Sequence, residues 1–215
     1  ALYYTVPKKY QWVVLLSASY VFYGLHSVKY LGLLIFTTIS TFYGSRYIYD
    51  SRSNKKRKWL LILVLLLNFS VLAYFKYCHI IFKGFIVSQP ILPLGISFYT
   101  FQSVSYLLDV YWRRCEAEKN LFRFALFVSF FPQIVQGPIS RYQQLAPQLT
   151  AENRWNDGIV QEGIFKIIGG LFKKIVIADR LSVLVGSVIS EHWKYSGSVL
   201  FFVILIYGVQ IYCDF

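Results

Sequence analysis

The chain has 215 residues, of which 56% are hydrophobic, 20% aromatic and only 15% charged. A soluble domain of ordinary composition carries about a quarter charged residues, so the apolar excess is too large for one buried core and assigns much of the surface to lipid. The formal net charge is +12, but Lys and Arg gather between apolar runs and not along one polar face, which excludes a nucleic-acid groove and fits loops beside anionic lipid.

In chain order, the first apolar run covers 12–25 and follows Pro7, Lys8 and Lys9. It ends in aromatic residues, unlike the small-residue cleavage site of a signal peptide. The second run covers 30–49. A basic loop, Arg52, Lys55, Lys56, Arg57 and Lys58, leads into the third run at 59–75, whose purest stretch is Leu60 to Leu67. A mixed stretch with Lys76, His79 and Lys83 precedes the fourth run, 92–112, which Arg113 and Arg114 close. The fifth run, 122–135, is short and ends in a Pro/Gly-rich loop. A sixth, more polar helix is expected over 158–178, and a last run covers 199–215.

A spanning helix needs roughly 20 apolar residues. Runs two, three, four and the last meet that length, and the first can tilt. The expected fold class is therefore all-α, a polytopic transmembrane helical bundle with no soluble domain of its own. The basic loops set its orientation: Lys8, Lys9, the 52–58 loop and the Arg113–Arg114 pair fall on the cytoplasmic side, while Lys76 and Lys83 fall outside as modest violations. The chain holds no methionine, begins at Ala1 and stops at Phe215 inside an apolar run, so both ends are expected to be internal to a longer protein.

Several polar groups are out of place in lipid. Gln102, Ser105 and Asp109 share one helical face, as do Tyr207, Gln210 and Asp214. A carboxylate near lipid costs at least a few kcal/mol at mid-bilayer. These faces point either into a wet cavity or, near the interface, toward a basic partner. In the sixth helix, Glu162 and Lys166 form an i,i+4 pair, and Gly163 and Gly170 offer a small-residue packing face. Lys173 and Lys174 close that helix, either as packing residues or as a surface for an anionic acyl donor. Gly137-Pro138 breaks the helical pattern between Gln136 and Arg141. A break at membrane depth lines a cavity, and at the interface it is a plain turn. Cys78, Cys115 and Cys213 are isolated, as are His26, His79 and His192, so no metal-ligand spacing exists. There is no nucleophile elbow, P-loop or dinucleotide glycine pattern.

Physics alone gives no reaction. The stretch Leu92-Pro93-Leu94-Gly95-Ile96-Ser97-Phe98-Tyr99-Thr100-Phe101-Gln102, continuing through Tyr106, Asp109, Val110 and Tyr111, resembles the hallmark of the membrane-bound O-acyltransferase family in its alginate O-acetyltransferase branch. The blocks Phe124 to Gln133, Gln136-Gly137-Pro138-Ile139 with Arg141 and Ala146-Pro147-Gln148-Leu149, Gly170 to Asp179, and Gln210 to Phe215 resemble the same branch, in family order and at family spacing. The part before Leu92 resembles the family more weakly. One departure is Gln136, where relatives often carry a small residue.

The resemblance implies transfer of an acyl group, typically acetyl, to hydroxyls of an exported or cell-surface polysaccharide, in the plasma (inner) membrane of a bacterium. Acetyl-CoA or another acyl thioester would be the cosubstrate, with no bound cofactor or metal, and a periplasmic or extracellular protein could relay the acetyl group. The family's general base is a histidine in a Trp-His motif expected beyond Phe215, so residues 1–215 alone are expected to be inactive. Candidate cavity-lining residues are Gln136, Gly137, Pro138 and Arg141, then Gln102, Asp109, Gln210 and Asp214. Lys173 and Lys174 are candidates for the acyl-donor side. The competing readings are a teichoic-acid D-alanyltransferase-like protein and a non-enzymatic transporter or channel. The latter would need matching interrupted helices in two halves, and none are seen.

Overall fold

The computed structural model describes residues 2–81, 92–135 and 137–214, with the side chains of Leu2 and of residues 78–81 left aside. Lys83, Gln136 and Phe215 lie outside the described residues. Every regular element among the described residues is helical. The chain divides into two compact units, Ala1–Asn153 and Arg154–Phe215.

In the first unit, a single turn at Leu2–Thr5 leads into α1, Gln11–His26. Ser27 interrupts the helix in extended conformation before α2, Val28–Asp50. Then come α3, Asn54–Ile81, and α4, Ile96–Tyr111. The run at 122–135 is split into α5, Leu121–Ser129, and one turn of α6, Phe131–Ile134. Pro132 explains the split: it has no N–H to give the Val128 carbonyl, and its ring would collide with that carbonyl in a continuous helix. Helix α7, Tyr142–Thr150, is an element that apolar periodicity does not reveal.

The start of α5 is set by a side-chain cap. Asn120 Oδ1 accepts from the backbone N–H groups of Phe122 at 2.9 Å and Arg123 at 3.3 Å, capping α5. The core of this unit is aromatic. Phe124 lies 4.7 Å from the Tyr106 ring and 6.1 Å from the Phe42 ring. Such pairs add about 0.5–1.5 kcal/mol each beyond their burial. Polar side chains enter the same interior: Thr38 donates to the Leu34 carbonyl at 2.7 Å and Asn68 to the Val64 carbonyl at 2.9 Å, satisfying themselves on their own helices.

The second unit holds α8, Asp157–Phe172, α9, Asp179–Ser190, and α10, Gly197–Asp214. The sixth predicted helix, 158–178, is α8 followed by a π-helical segment, Lys173–Ala178, and α9 continues from it. Asn156 caps α8 through Oδ1, accepting from Gly158 N at 3.0 Å and Ile159 N at 3.3 Å. The core of the unit is small, Val185 and Val188 of α9 against Val203 of α10. No residue of α8 is buried within it.

Among the described residues, two helices are long and apolar enough to cross a membrane, α3 over Asn54–Tyr77 and α10 over Gly197–Asp214. Helix α2 has 23 residues but carries Thr37, Thr38, Ser40, Thr41, Ser45 and Arg46 among them, which lowers its hydropathy below that of a free-standing span.

Candidate functional site

The break between α5 and α6 organises the backbone that follows it. The freed N–H of Phe131 donates to Ser19 Oγ on α1 at 3.2 Å. Gln133, buried in α6, donates through Nε2 to the Pro138 carbonyl and to Ser140 Oγ, the latter at 2.8 Å. Its own carbonyl accepts from Gly137 N at 3.0 Å. The segment 137–141 thus folds back over one glutamine. A β-carbon on residue 137 would stand 2.6 Å from Gln133 Cγ and 2.7 Å from its Cα, so glycine is required for the close approach. Pro138 and Ile139 face outward. The Arg141 carbonyl accepts from Gln144 N and Leu145 N at 3.1 Å and starts α7. The Arg141 side chain is exposed and makes no hydrogen bond or ion pair among the described residues. The arrangement presents an unpaired guanidinium from a pinned loop, ready for an anionic or carbonyl partner.

The other candidates of this unit lie within packed protein. Gln102 is 3% exposed and donates through Nε2 to the Phe127 carbonyl at 2.9 Å. Because α5 stops at Ser129, that carbonyl is among the last four of the helix and has no helical donor; Gln102 replaces it. Asp109 is 5% exposed, and its carboxylate meets Arg114 Nη1 at 3.7 Å. The Asp109 carbonyl also accepts from Arg114 N at 2.8 Å across a turn in which Arg113 adopts φ +56°.

Beside this turn is a polar recess of 760 Å³ lined by Cys115, Glu118, Arg123, Tyr142, Gln143 and Pro147 among others. Sequence reasoning did not find it. Glu118 organises one wall. Its Oε1 accepts from Lys119 N and Asn120 N at 2.8 Å, and its Oε2 accepts from the Tyr142 hydroxyl. Glu118 N donates to the Tyr106 hydroxyl at 2.8 Å, and the Tyr106 and Tyr142 rings lie 4.7 Å apart. Burial raises the Tyr142 pKa above the ordinary phenol value, and the Glu118 carboxylate raises it further, so Tyr142 holds its proton. Burial, with the nearby Asp109 charge, pushes the Cys115 thiol up to about 11. Both groups are neutral hydrogen-bond donors near pH 7, unsuited to act as base or nucleophile. The one local signal was Glu118 two residues before a capping asparagine, too short a pattern to reveal a recess.

In the second unit, Lys174 Nζ lies 2.5 Å from Asp214 Oδ1 and 2.9 Å from Asp179 Oδ1. Two sequence candidates, Lys174 and Asp214, are thereby brought together, and Asp179 joins them. The π-helical segment makes this possible: Asp179 N bonds back to the Lys174 carbonyl, one residue further than in an α-helix, which rotates Lys174 relative to the turns before it. A recess of 360 Å³ next to the pair is lined by Gly170, Lys173, Lys174, Tyr212, Cys213 and Asp214. Lys173 is exposed. On the same helix as Asp214, Gln210 Oε1 is buried without a hydrogen-bond partner among the described residues. Among the described residues no group of three His, Cys, Asp or Glu side chains gathers as a metal site would.

No family model matches the chain. It is 34% identical, over its whole length, to a probable alginate O-acetylase of Azotobacter vinelandii, and 32% identical to the protein of the same name from Pseudomonas syringae pv. tomato. It is also 32% identical, over 95% of its length, to a peptidoglycan O-acetyltransferase of Helicobacter pylori. The chain spans less than half the length of these relatives, 45%, 43% and 45% respectively.

Proposed function

We propose that this chain belongs to the membrane-bound O-acyltransferase family, in the branch of the alginate O-acetylases, and that it is the membrane-embedded part of an enzyme that acetylates hydroxyls of an exported or cell-surface polysaccharide. The observation that carries the proposal is the near full-length similarity to proteins named for acetylating two different glycans. Both relatives are named for the transfer of acetyl, and the acceptor is where they differ.

In the proposed reaction the acceptor hydroxyl attacks the carbonyl carbon of an acetyl thioester, with acetyl-CoA as the donor of choice. A C–O bond forms, the C–S bond breaks, the hydroxyl proton passes to a general base, and the thiol leaves. The base is the family histidine expected outside residues 1–215, a group suited to titration near neutrality. Arg141, carried by the loop that Gln133 pins, faces the reacting groups with Gly137 and Pro138. Lys173 and Lys174 serve the anionic donor. The acceptor hydroxyl belongs either to the glycan itself or to a periplasmic or extracellular protein that relays acetyl to it.

The proposed setting is a multi-pass bundle in a bacterial inner membrane. The supporting pattern is the placement of Arg52–Lys58 and Arg113–Arg114 at helix ends that fall on one side when α3 and α4 both cross. Single-cysteine labelling from either side of intact cells tests it. Positions at 52–58, the start of α3 and the residues just before it, and at Arg113 should react only after permeabilisation, and labelling of both in intact cells would overturn the topology. Membrane vesicles containing the full-length protein and radiolabelled acetyl-CoA test the activity. Label should enter glycan as alkali-labile ester, and vesicles lacking the protein should transfer none.

A further inference from the structure

We propose that the outer face of α3 near its N-terminus is a binding site for an anionic diacyl phospholipid. The proposal rests on α3 lying across the bilayer. Its first part is a shallow apolar groove of 530 Å³ lined by Lys56, Trp59, Leu60, Ile62, Leu63 and Leu66. Residues 56, 59, 63 and 66 recur at helical spacing and form one continuous stripe along the helix. Trp59 is 72% exposed, Leu63 59% and Leu66 66%, so no other part of the unit covers the stripe.

The second part is the charge at the head of the groove. Arg57 is turned away from it. Its guanidinium donates to the Tyr111 carbonyl at the end of α4 and lies 5.2 Å over the Tyr111 ring. That anchor fixes the rotation of α3 and leaves Lys55, Lys56 and Lys58 exposed. The first turn of α3 carries no acidic residue. Lys56 belongs to the groove itself, and Lys55 stands one turn before Trp59 on the same side. The free N–H groups of the first helical turn add positive potential at this end.

The chemistry selects the occupant. An acyl chain fits the stripe from Trp59 to Leu66, and a tryptophan at that level suits the interface between chain and headgroup. Above it, two lysines and a helix N-terminus face the position of a phosphodiester. A zwitterionic headgroup offers its own cation to that position and gains little, whereas an anionic headgroup such as phosphatidylglycerol gains the full attraction. A lysine near an anionic lipid contributes about fivefold in affinity, so the pair contributes about 25-fold.

Purified, delipidated full-length protein can be titrated with phosphatidylglycerol or phosphatidylcholine and read by native mass spectrometry. Phosphatidylglycerol should bind more tightly. The double variant Lys55→Gln/Lys56→Gln should lose about 25-fold and fall to the phosphatidylcholine level, while Lys8→Gln/Lys9→Gln should bind as the parent does. Lys55→Arg/Lys56→Arg should restore the preference. Equal binding of the two lipids, or full retention of the preference in the Gln variant, would overturn the site. Membrane residence is read separately, from the need for detergent to extract the protein, so loss of the site leaves that reading standing.

Discussion

The carbonyl oxygen of Ile134 occupies the space that a β-carbon on residue 95 would need, and Gly95 itself has φ +67°. The two facts have one origin. The turn that starts α4 is pressed against the end of α6, and the Tyr23 hydroxyl holds the same turn from α1 by donating to the Leu94 carbonyl at 3.0 Å. Three helices therefore meet at a point where only glycine fits.

Gly95→Ala should destabilise the protein by about 2 kcal/mol or more, since the left-handed backbone costs an L-residue about 1–2 kcal/mol before any collision is counted. Thermal unfolding in detergent should show a midpoint lowered by several degrees. An unchanged midpoint would mean that α6 is not seated on this turn.

Gln102→Leu removes the donor from a buried carbonyl, a loss of about 1–3 kcal/mol. Stability should fall while transfer per folded molecule stays close to the parent value. A stable variant with lost transfer would instead place Gln102 among groups that touch substrate.

Much of this architecture was legible before any coordinates. The apolar runs at 12–25, 30–49 and 59–75, and the last run as far as Asp214, fall within helices because length and hydropathy decide them, while most of the expected basic loop at 52–58 is the start of α3. The split at Phe130 was less visible, since the apolar pattern runs straight through Pro132. Helix α7 was invisible because it is short, polar on most faces and contains Pro147. Among the candidate residues, the Lys174–Asp214 pair could not be read from sequence spacing, since it joins positions 40 apart through a π-helical rotation. Asp109 was left with two readings, and the structure gives it a basic partner, Arg114. Gln136 lies outside the described residues.

Cys115 should resist alkylation at neutral pH. Burial pushes its thiol up to about 11, so the reactive thiolate is scarce at neutral pH and grows as pH rises. In a Cys78→Ser/Cys213→Ser background, maleimide labelling should lag a free thiol peptide throughout pH 7–9 and converge with it only near pH 11. Removing the nearby charge with Asp109→Asn should shift the profile toward lower pH. Rapid labelling at pH 7 would contradict the burial.

Arg141→Ala and Lys174→Gln should behave differently from Gly95→Ala. Arg141 is exposed, and Lys174 is about half-exposed in pairs with two partly exposed carboxylates, so the folded protein should melt near the parent temperature in both cases. Transfer should fall roughly tenfold or more for Arg141→Ala, the effect of losing one charged contact to reacting groups. For Lys174→Gln, the KM for the acyl thioester should rise with kcat little changed. Normal transfer by Arg141→Ala would remove Arg141 from the site.

The central claim is that this protein places acetyl esters on a surface glycan. The most direct measurement is the O-acetyl content of purified glycan, by proton NMR, from cells with the full-length gene, cells without it, and cells making residues 1–215 alone. The account predicts acetyl signals in the first and none in the other two. Undiminished acetylation in cells without the gene would contradict it.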